Sequence, residues 1–283
     1  MSDALLYVVA TPIGNLGDIT HRAIEVLQSV DLIAAEDTRH SSRLMAHFNI
    51  KTPMISVHDH NERQRVSTII NKLSQGDNIA LISDAGTPLI SDPGFILVRA
   101  VREAGYKVVP VPGCCAVITA LSAAGMPSNN FTFEGFLPAK RVARKQRFKD
   151  IIDDTRTIIF YESTHRIVDS LTDMLEVLGS QRYVVIAREL TKTFETIYGA
   201  KLADLIDWVT SDANQQKGEF VLLISGAEPK KITEISAETL RVLAVLAKEL
   251  PLKQACALTA QITGEKKNAL YQEGLAQKQN NAG

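Results

Sequence analysis

Residues 79–94 read IALISDAGTPLISDPG, an apolar run passing directly into a loop with two glycines, two prolines and two aspartates. Ile79, Ala80, Leu81 and Ile82 have the composition of a parallel strand covered on both faces, and open α/β sheets place their ligands beyond the carboxyl ends of such strands. Gly86 and Gly94 permit positive φ or close approach of backbone to a ligand, while Pro88 and Pro93 stiffen the path. The segment therefore predicts a loop preformed to hold a small molecule by main-chain atoms. The same composition also fits a connection that is merely rich in chain breakers.

Working outward, short apolar runs alternate with segments of helical spacing up to about residue 115. The runs are LLYVVAT, DLIAAED, PMISVHD, NIALISD and KVVPVPG, and helices are expected near 20–30, 62–75 and 94–104. Val66, Ile69, Ile70 and Leu73 share a helical face, and Gly76 and Gly105 stand where C-terminal caps belong. Such βα alternation implies a mostly parallel sheet. A helix over CCAVITALSAAG follows Pro112 and Gly113 and leads into a linker-like stretch, MPSNNFTFEGFLPAK. Beyond it, TIIFYES, YVVIARE, FETIYGA and EFVLLIS read as strands, with two helices near 165–178 and 202–210. That pattern indicates a mixed sheet with antiparallel neighbours. The fold class is α/β with three parts: an N-terminal α/β domain over 1–119, a second α/β domain over 120–229, and a small all-helical domain over 230–283. In the last part, LKQACALTAQI, Thr263-Gly264 and KKNALYQEGL have the arrangement of a helix-turn-helix; a helical bundle serving dimerisation fits the same spacing.

Of 283 residues, 45% are hydrophobic and 22% charged, the balance of a globular chain rather than a disordered one. No apolar stretch approaches the roughly 18 residues of a membrane span, and the first residues lack a signal-peptide pattern, so a cytoplasmic protein is expected. Three cysteines, two of them adjacent at Cys114 and Cys115, offer no disulfide framework and read as small core residues. The net charge of -1 conceals an asymmetry. Residues 1–229 carry 23 basic and 27 acidic side chains, and 230–283 carry 8 and 5, which leaves -4 and +3. A second basic island, AKRVARKQRFK at 139–149, holds six Lys or Arg residues. Such patches suit a nucleic-acid partner, and equally a solvated helix face.

No Walker A pattern is present, and none of the sixteen glycines forms a GxG, which sets aside phosphate-cradling nucleotide enzymes and the usual dinucleotide fingerprint. HExxH, CxxC and GxSxG are also missing, against zincins and α/β-hydrolases. Four segments, TPIGNLGD at 11–18, AAEDTRH at 34–40, SDAGTPLISDPG at 83–94 and YESTHR at 161–166, resemble the tetrapyrrole-methylase superfamily, the class III S-adenosylmethionine-dependent methyltransferases. Over essentially the whole chain the likeness is to the branch that 2′-O-methylates a cytidine in the decoding region of 16S ribosomal RNA. The C-terminal ELPLKQACALTAQITGEKKNALY resembles that branch's extra helical domain.

The resemblance implies two α/β domains with S-adenosylmethionine in the cleft between them, and a homodimer. It assigns the donor pocket to Pro12, Gly14, Asp84, Ala85, Gly86, Thr87, Pro88, Ile90, Ser91, Pro112, Gly113 and Ala116 from the first domain. Tyr161, Leu190 and Gly218 would come from the second. A loop of Gly and Pro suits a sulfonium and an adenine edge better than a cluster of charges does.

Methyl transfer to a ribose hydroxyl requires in-line alignment and is helped by a general base or an oxyanion-steadying cation. Two polar clusters follow predicted strands, Glu36 to His40 and His58 to Glu62. From these, His58 or His60 is the candidate base, Arg39 a phosphate or nucleotide ligand, and Asp37 and Glu62 further catalytic candidates. Equally, Asp37, Thr38 and Asn61 fit helix caps. No ligand spacing is distinctive of a metal. In YESTHR, Ser163 or Thr164 reads as the cap of a helix beginning near His165, leaving Glu162 a site candidate. RNA contacts fall to Lys140, Arg141, Arg144, Lys145, Arg147, Lys253, Lys266 and Lys267. The expected partner is 16S ribosomal RNA or the small ribosomal subunit, with no membrane. Competing readings are a porphyrinoid C-methyltransferase, a relative acting on a modified protein side chain, and a non-catalytic RNA-binding protein that uses the donor as a structural or sensing ligand.

Overall fold

In a computed structural model the described residues are 4–228 and 235–280, side chains of 276–280 excepted. The boundary expected at 229/230 adjoins residues outside that description. Two compact units emerge, Met1–Ala227 and Glu228–Gly283.

The first unit begins with β1 (Leu5–Val9), α1 (His21–Ser29), β2 (Leu32–Ala35), α2 (Thr38–His47), β3 (Met54–Ser56), α3 (Glu62–Ser74), β4 (Ile79–Ile82), α4 (Phe95–Glu103) and β5 (Lys107–Val111). The five strands form one sheet in the order β3-β2-β4-β1-β5, parallel throughout. All four residues of β4 are buried, because its side chains meet helices on both faces. Ala80 and Ile82 pack with Ala23, Leu27 and Met45 on one side. Ile79 and Leu81 pack with Ile69, Leu73, Leu97 and Val101 on the other. Helix α2 has no counterpart among the helices expected from apolar spacing. Its sequence TRHSSRLMAH buries only Ser41 and Met45, too little for a visible stripe.

The chain continues with α5 (Ala116–Ala123), β6 (Phe131–Phe136), α6 (Arg141–Asp150), β7 (Thr157–Glu162), α7 (Ile167–Leu178), β8 (Tyr183–Arg188), β9 (Thr196–Lys201), α8 (Leu202–Ser211) and β10 (Phe220–Ile224). The second sheet has the order β6-β7-β10-β8-β9; β6 runs parallel to β7 and the other neighbours are antiparallel. Strand β10 sits at its centre and alternates. Phe220, Leu222 and Ile224 face Phe148, Leu171 and Leu205, while Val221 and Leu223 face Val117, Ala120 and Leu121 of α5. Helix α5 thus packs on the second sheet, within the one compact unit of Met1–Ala227.

Three expectations need correction. The stretch read as a linker contains β6, an edge strand whose alternation is hidden by Glu134, Gly135 and a register shift between Phe133 and Phe136. The second half carries three helices after β6, not two, since α6 buries only Arg144 and Phe148. Helix α7 starts at Ile167 with no side-chain cap; Thr164 Oγ1 instead donates to Gln216 O.

The second unit holds α9 (Ala237–Glu249), α10 (Leu252–Thr263) and α11 (Lys267–Asn280) around Leu243, Ala255, Cys256 and Leu270. Gly264, at φ 78°, ends α10 in the left-handed region and turns the chain into α11. No helix among the described residues is long and apolar enough to cross a membrane.

Candidate functional site

Because β4 is inserted between β1 and β2, the loops after β1 and β4 face one another beyond the carboxyl edge of the sheet, where strand order reverses. They are tied by a two-residue antiparallel bridge: Thr11 N donates to Gly86 O at 2.9 Å and Gly86 N to Thr11 O at 3.0 Å. Gly86 adopts φ +80°, and a Cβ there would stand 3.3 Å from Ile13 Cγ2, so only glycine lets the two loops meet without strain. Thr87 Oγ1 donates to Cys114 O at 2.8 Å, which fastens the loop to the turn leading into α5.

Beneath this bridge lies a cavity of about 470 Å³ between the two sheets. That volume falls within the roughly 300–1,000 Å³ of small-molecule sites. Of the residues assigned to the donor pocket, Ala85, Gly86, Thr87, Ile90, Ser91, Ala116, Tyr161, Leu190 and Gly218 line it. Pro12, Gly14, Asp84, Pro88, Pro112 and Gly113 are not on its wall. A Cβ on Gly14 would meet Lys192 Cγ at 2.5 Å, and one on Gly113 would meet Ala10 Cβ at 2.8 Å, so these glycines serve packing behind the wall.

Ile13, Asp92, Cys115, Phe136, Glu162 and Ser163 also line the cavity without having been singled out as donor ligands. Asp92 lies within the opening motif and Ile13 within TPIGN, so both motifs carry residues of the cavity wall. Phe136 is 57% exposed, with its ring 5.4 Å from that of Tyr161, and no sequence pattern announces it. Cys114 and Cys115 are half-buried here rather than core residues. The Ser163 hydroxyl is buried with no partner, an orphan polar atom in the wall. Burial pushes the Tyr161 hydroxyl well above its ordinary pKa, so it remains a neutral donor.

The catalytic candidates at the ends of β2 and β3 lie along the same sheet edge but none of them lines the cavity. Asp37 caps α2, accepting from Arg39 N at 2.8 Å, and its pair with the Arg39 guanidinium at 2.9 Å lowers its pKa to about 2. Arg39 is 90% exposed. The His58 ring meets Asn61 Nδ2 at 3.2 Å, its Nδ1 has no partner, and His60 is exposed beside it with ring centroids 5.9 Å apart. Glu62 is only 3% exposed, and its Oε1 accepts from Leu97 N at 2.8 Å. It satisfies the start of α4 and has no route to a substrate, which corrects its assignment as catalytic. Glu162 is likewise occupied, accepting from Ser163 N, Arg166 Nε and the Ser170 hydroxyl. Among the described residues no three His, Cys, Asp or Glu side chains are grouped to hold a metal.

The basic island becomes α6, and most of its charge is neutralised within the fold. Arg144, 3% exposed, pairs with Asp173 at 2.6 Å; Arg141 reaches Asp173 and Glu176 at 2.7 Å; Lys145 pairs with Glu176 and Arg147 with Glu134. Of Lys140, Arg141, Arg144, Lys145 and Arg147, Lys140 alone is exposed and outside every ion pair among the described residues, so the other four use their charge inside the fold. Lys253, Lys266 and Lys267 of the helical unit, by contrast, are exposed and outside every ion pair among the described residues.

A family model described as tetrapyrrole (corrin/porphyrin) methylases matches residues 5–206, and one described as the RsmI C-terminal HTH domain matches 233–278. Ribosomal RNA small subunit methyltransferase I of Vibrio cholerae is 61% identical, the match covering 96% of this chain and 94% of that one. The protein of the same name from Escherichia coli O157:H7 is 59% identical, covering 98% and 96%. Among solved structures, uroporphyrin-III-C-methyltransferase from Thermus thermophilus shares the fold at TM-score 0.53 and 18% identity, over 78% of this chain and 94% of that one. The methyltransferase CobJ does so at 0.59 and 18%, over 79% and 95%. A two-sheet unit with its cavity beneath the glycine-proline loop, matched from β1 into α8, makes this chain a member of the tetrapyrrole (corrin/porphyrin) methylase family.

Proposed function

We propose that this protein transfers the methyl group of S-adenosylmethionine to the 2′-hydroxyl of a cytidine in the decoding region of 16S ribosomal RNA, working in the cytoplasm as a homodimer on the RNA or the small subunit. The observation that carries the reading is likeness of 59–61% along nearly the full length, helical unit included, to ribosomal RNA small subunit methyltransferase I. Exposed Phe95, Val142 and Phe194 supply apolar area for a second copy.

The cavity fits the donor by its size, its mainly apolar wall and the orphan Ser163 hydroxyl. When bound, S-adenosylmethionine supplies a methyl group made electrophilic by its sulfonium. The Ala85–Gly86–Thr87 backbone and the limb at Ile90 and Ser91 would hold it from one lobe, with Tyr161, Leu190 and Gly218 closing from the other. Their work is alignment and exclusion of water. In this reading Arg39 and His60, exposed at the sheet edge, contact the RNA, and Lys253, Lys266 and Lys267 contact phosphates.

The test offers tritiated donor in parallel to assembled small subunits, naked 16S RNA and a tetrapyrrole. Label is expected in RNA as an alkali-resistant 2′-O-methylcytidine. Label in the tetrapyrrole or in protein alone would overturn the reading.

A further inference from the structure

The cavity wall holds several groups able to take a proton, and their surroundings separate them. Glu162 is saturated by Arg166, Ser163 N and Ser170. Glu219 is turned to solvent, its side chain 83% exposed and paired with Lys192 at 2.8 Å. Tyr161 keeps its proton because it is buried. Cys115 carries a sulfur nucleophile that would compete for the methyl group rather than serve as a base. His165 is exposed and oriented by no hydrogen bond among the described residues.

Asp92 differs from all of them. It lines the cavity half-buried, and no cation forms an ion pair with it among the described residues. It is also held in place: Leu89 and Ser91 take φ +73° and +68°, a region non-glycine residues avoid. Gly94 follows at φ +126°, where a Cβ would come within 2.9 Å of Leu81 Cδ2. Strain of this kind persists where the surrounding structure over-determines a conformation, and it gathers at functional sites.

We infer that the Asp92 carboxylate takes the proton from the attacking ribose hydroxyl; this rests on the 2′-O-methylation reading above. As the 2′-oxygen bonds to the methyl carbon, the carbon–sulfur bond breaks and sulfur keeps that electron pair. The hydroxyl proton passes to an Asp92 Oδ, so a sulfonium, an alcohol and a carboxylate become a thioether, an ether and a carboxylic acid. Four carboxylates collect here from successive strand ends: Glu36 after β2, Asp59 after β3, and Asp84 and Asp92 after β4. From the second sheet Tyr161 shares the cavity wall with Asp92. Burial first, then the charges of Glu36, Asp84 and Asp59, push the Asp92 pKa up to about 6 against a lowering hydrogen bond from Ser83. Such a group is deprotonated at neutral pH yet basic enough to accept a proton.

The experiment uses the full chain, small subunits and S-adenosylmethionine, comparing wild type with Asp92→Asn. The variant is expected to slow single-turnover methyl transfer by about 10²- to 10⁴-fold, the usual worth of a positioned base. Calorimetry on the same preparations should give unchanged donor affinity, which also shows that the cavity has folded. The wild-type rate should fall as pH drops through about 6, where the carboxylate is protonated. Asp92→Asn should lose that limb and Asp92→Glu regain it at reduced rate. A near wild-type rate in Asp92→Asn, persistence of the acid limb, or a rate loss matched by lost donor affinity would each overturn the inference alone. Wild-type protein that methylates no RNA would overturn the underlying reading, and this inference with it.

Discussion

Glu62 and Asp92 are both acidic residues that follow strands of the first sheet, and their neighbours set them apart. Glu62 is enclosed and accepts from the Leu97 amide, so its carboxylate is part of how α4 begins. Removing it leaves a buried N–H without a partner. Glu62→Ala should therefore lower unfolding free energy by about 1–3 kcal/mol. Urea denaturation measures this, and methyl transfer per folded molecule should be unchanged. Asp92 is half-buried among other carboxylates, and burial first and their charges second raise its proton affinity. Residue identity distinguishes none of this: an Asp or Glu after a strand reads alike whether it caps, pairs or reacts. The same holds for His58 and His60, whose position along the sheet edge was legible while their distance from the cavity wall was not.

At the scale of the element, α6 shows how far a charge run can mislead. Six cations in eleven residues read as a phosphate-binding face. The fold instead sets α6 against α7, where Asp173 and Glu176 receive Arg141, Arg144 and Lys145. Burial tends to raise the Asp173 pKa, but hydrogen bonds from Arg141 and Arg144 outweigh it and hold the group below its usual value. The pair thus stabilises the fold above the ordinary carboxylate range and loses that contribution as pH falls through the depressed folded value. Arg144→Ala should cost about 1–3 kcal/mol, because buried Asp173 loses two charge-assisted hydrogen bonds and keeps Arg141 as its remaining guanidinium partner. The deficit, read from thermal or denaturant unfolding, should shrink on acidification. RNA affinity measured under folding conditions should not move. Strand β6 teaches the complementary lesson, since an edge strand broken by Gly135 needs β7 beside it to be recognised at all.

For the whole molecule, the helical unit carries exposed Lys253, Lys266 and Lys267 outside every ion pair among the described residues. Lys266 stands just ahead of α11 and Lys267 opens it, after the Gly264 turn, a placement that in helix-turn-helix units brings side chains to nucleic acid. Lys266→Ala with Lys267→Ala should weaken binding to 16S RNA and reduce the slope of log affinity against log salt by about 1–2, as expected for two lost phosphate contacts. Donor affinity, measured by calorimetry, should stay as in the wild type. The amino-acid sequence alone determined the alternation of strands and helices, the parallel first sheet, the separate helical tail and the loop at 83–94, because apolar periodicity and Gly-Pro punctuation are local properties of the chain. Tertiary structure decided which of the loop's residues reach the cavity, that Glu62 is walled in, that most of the cations of α6 are neutralised and that carboxylates from three strand ends act on Asp92. Those outcomes depend on through-space neighbours drawn from different strands and helices, and burial and charge act over distances in space rather than along the sequence.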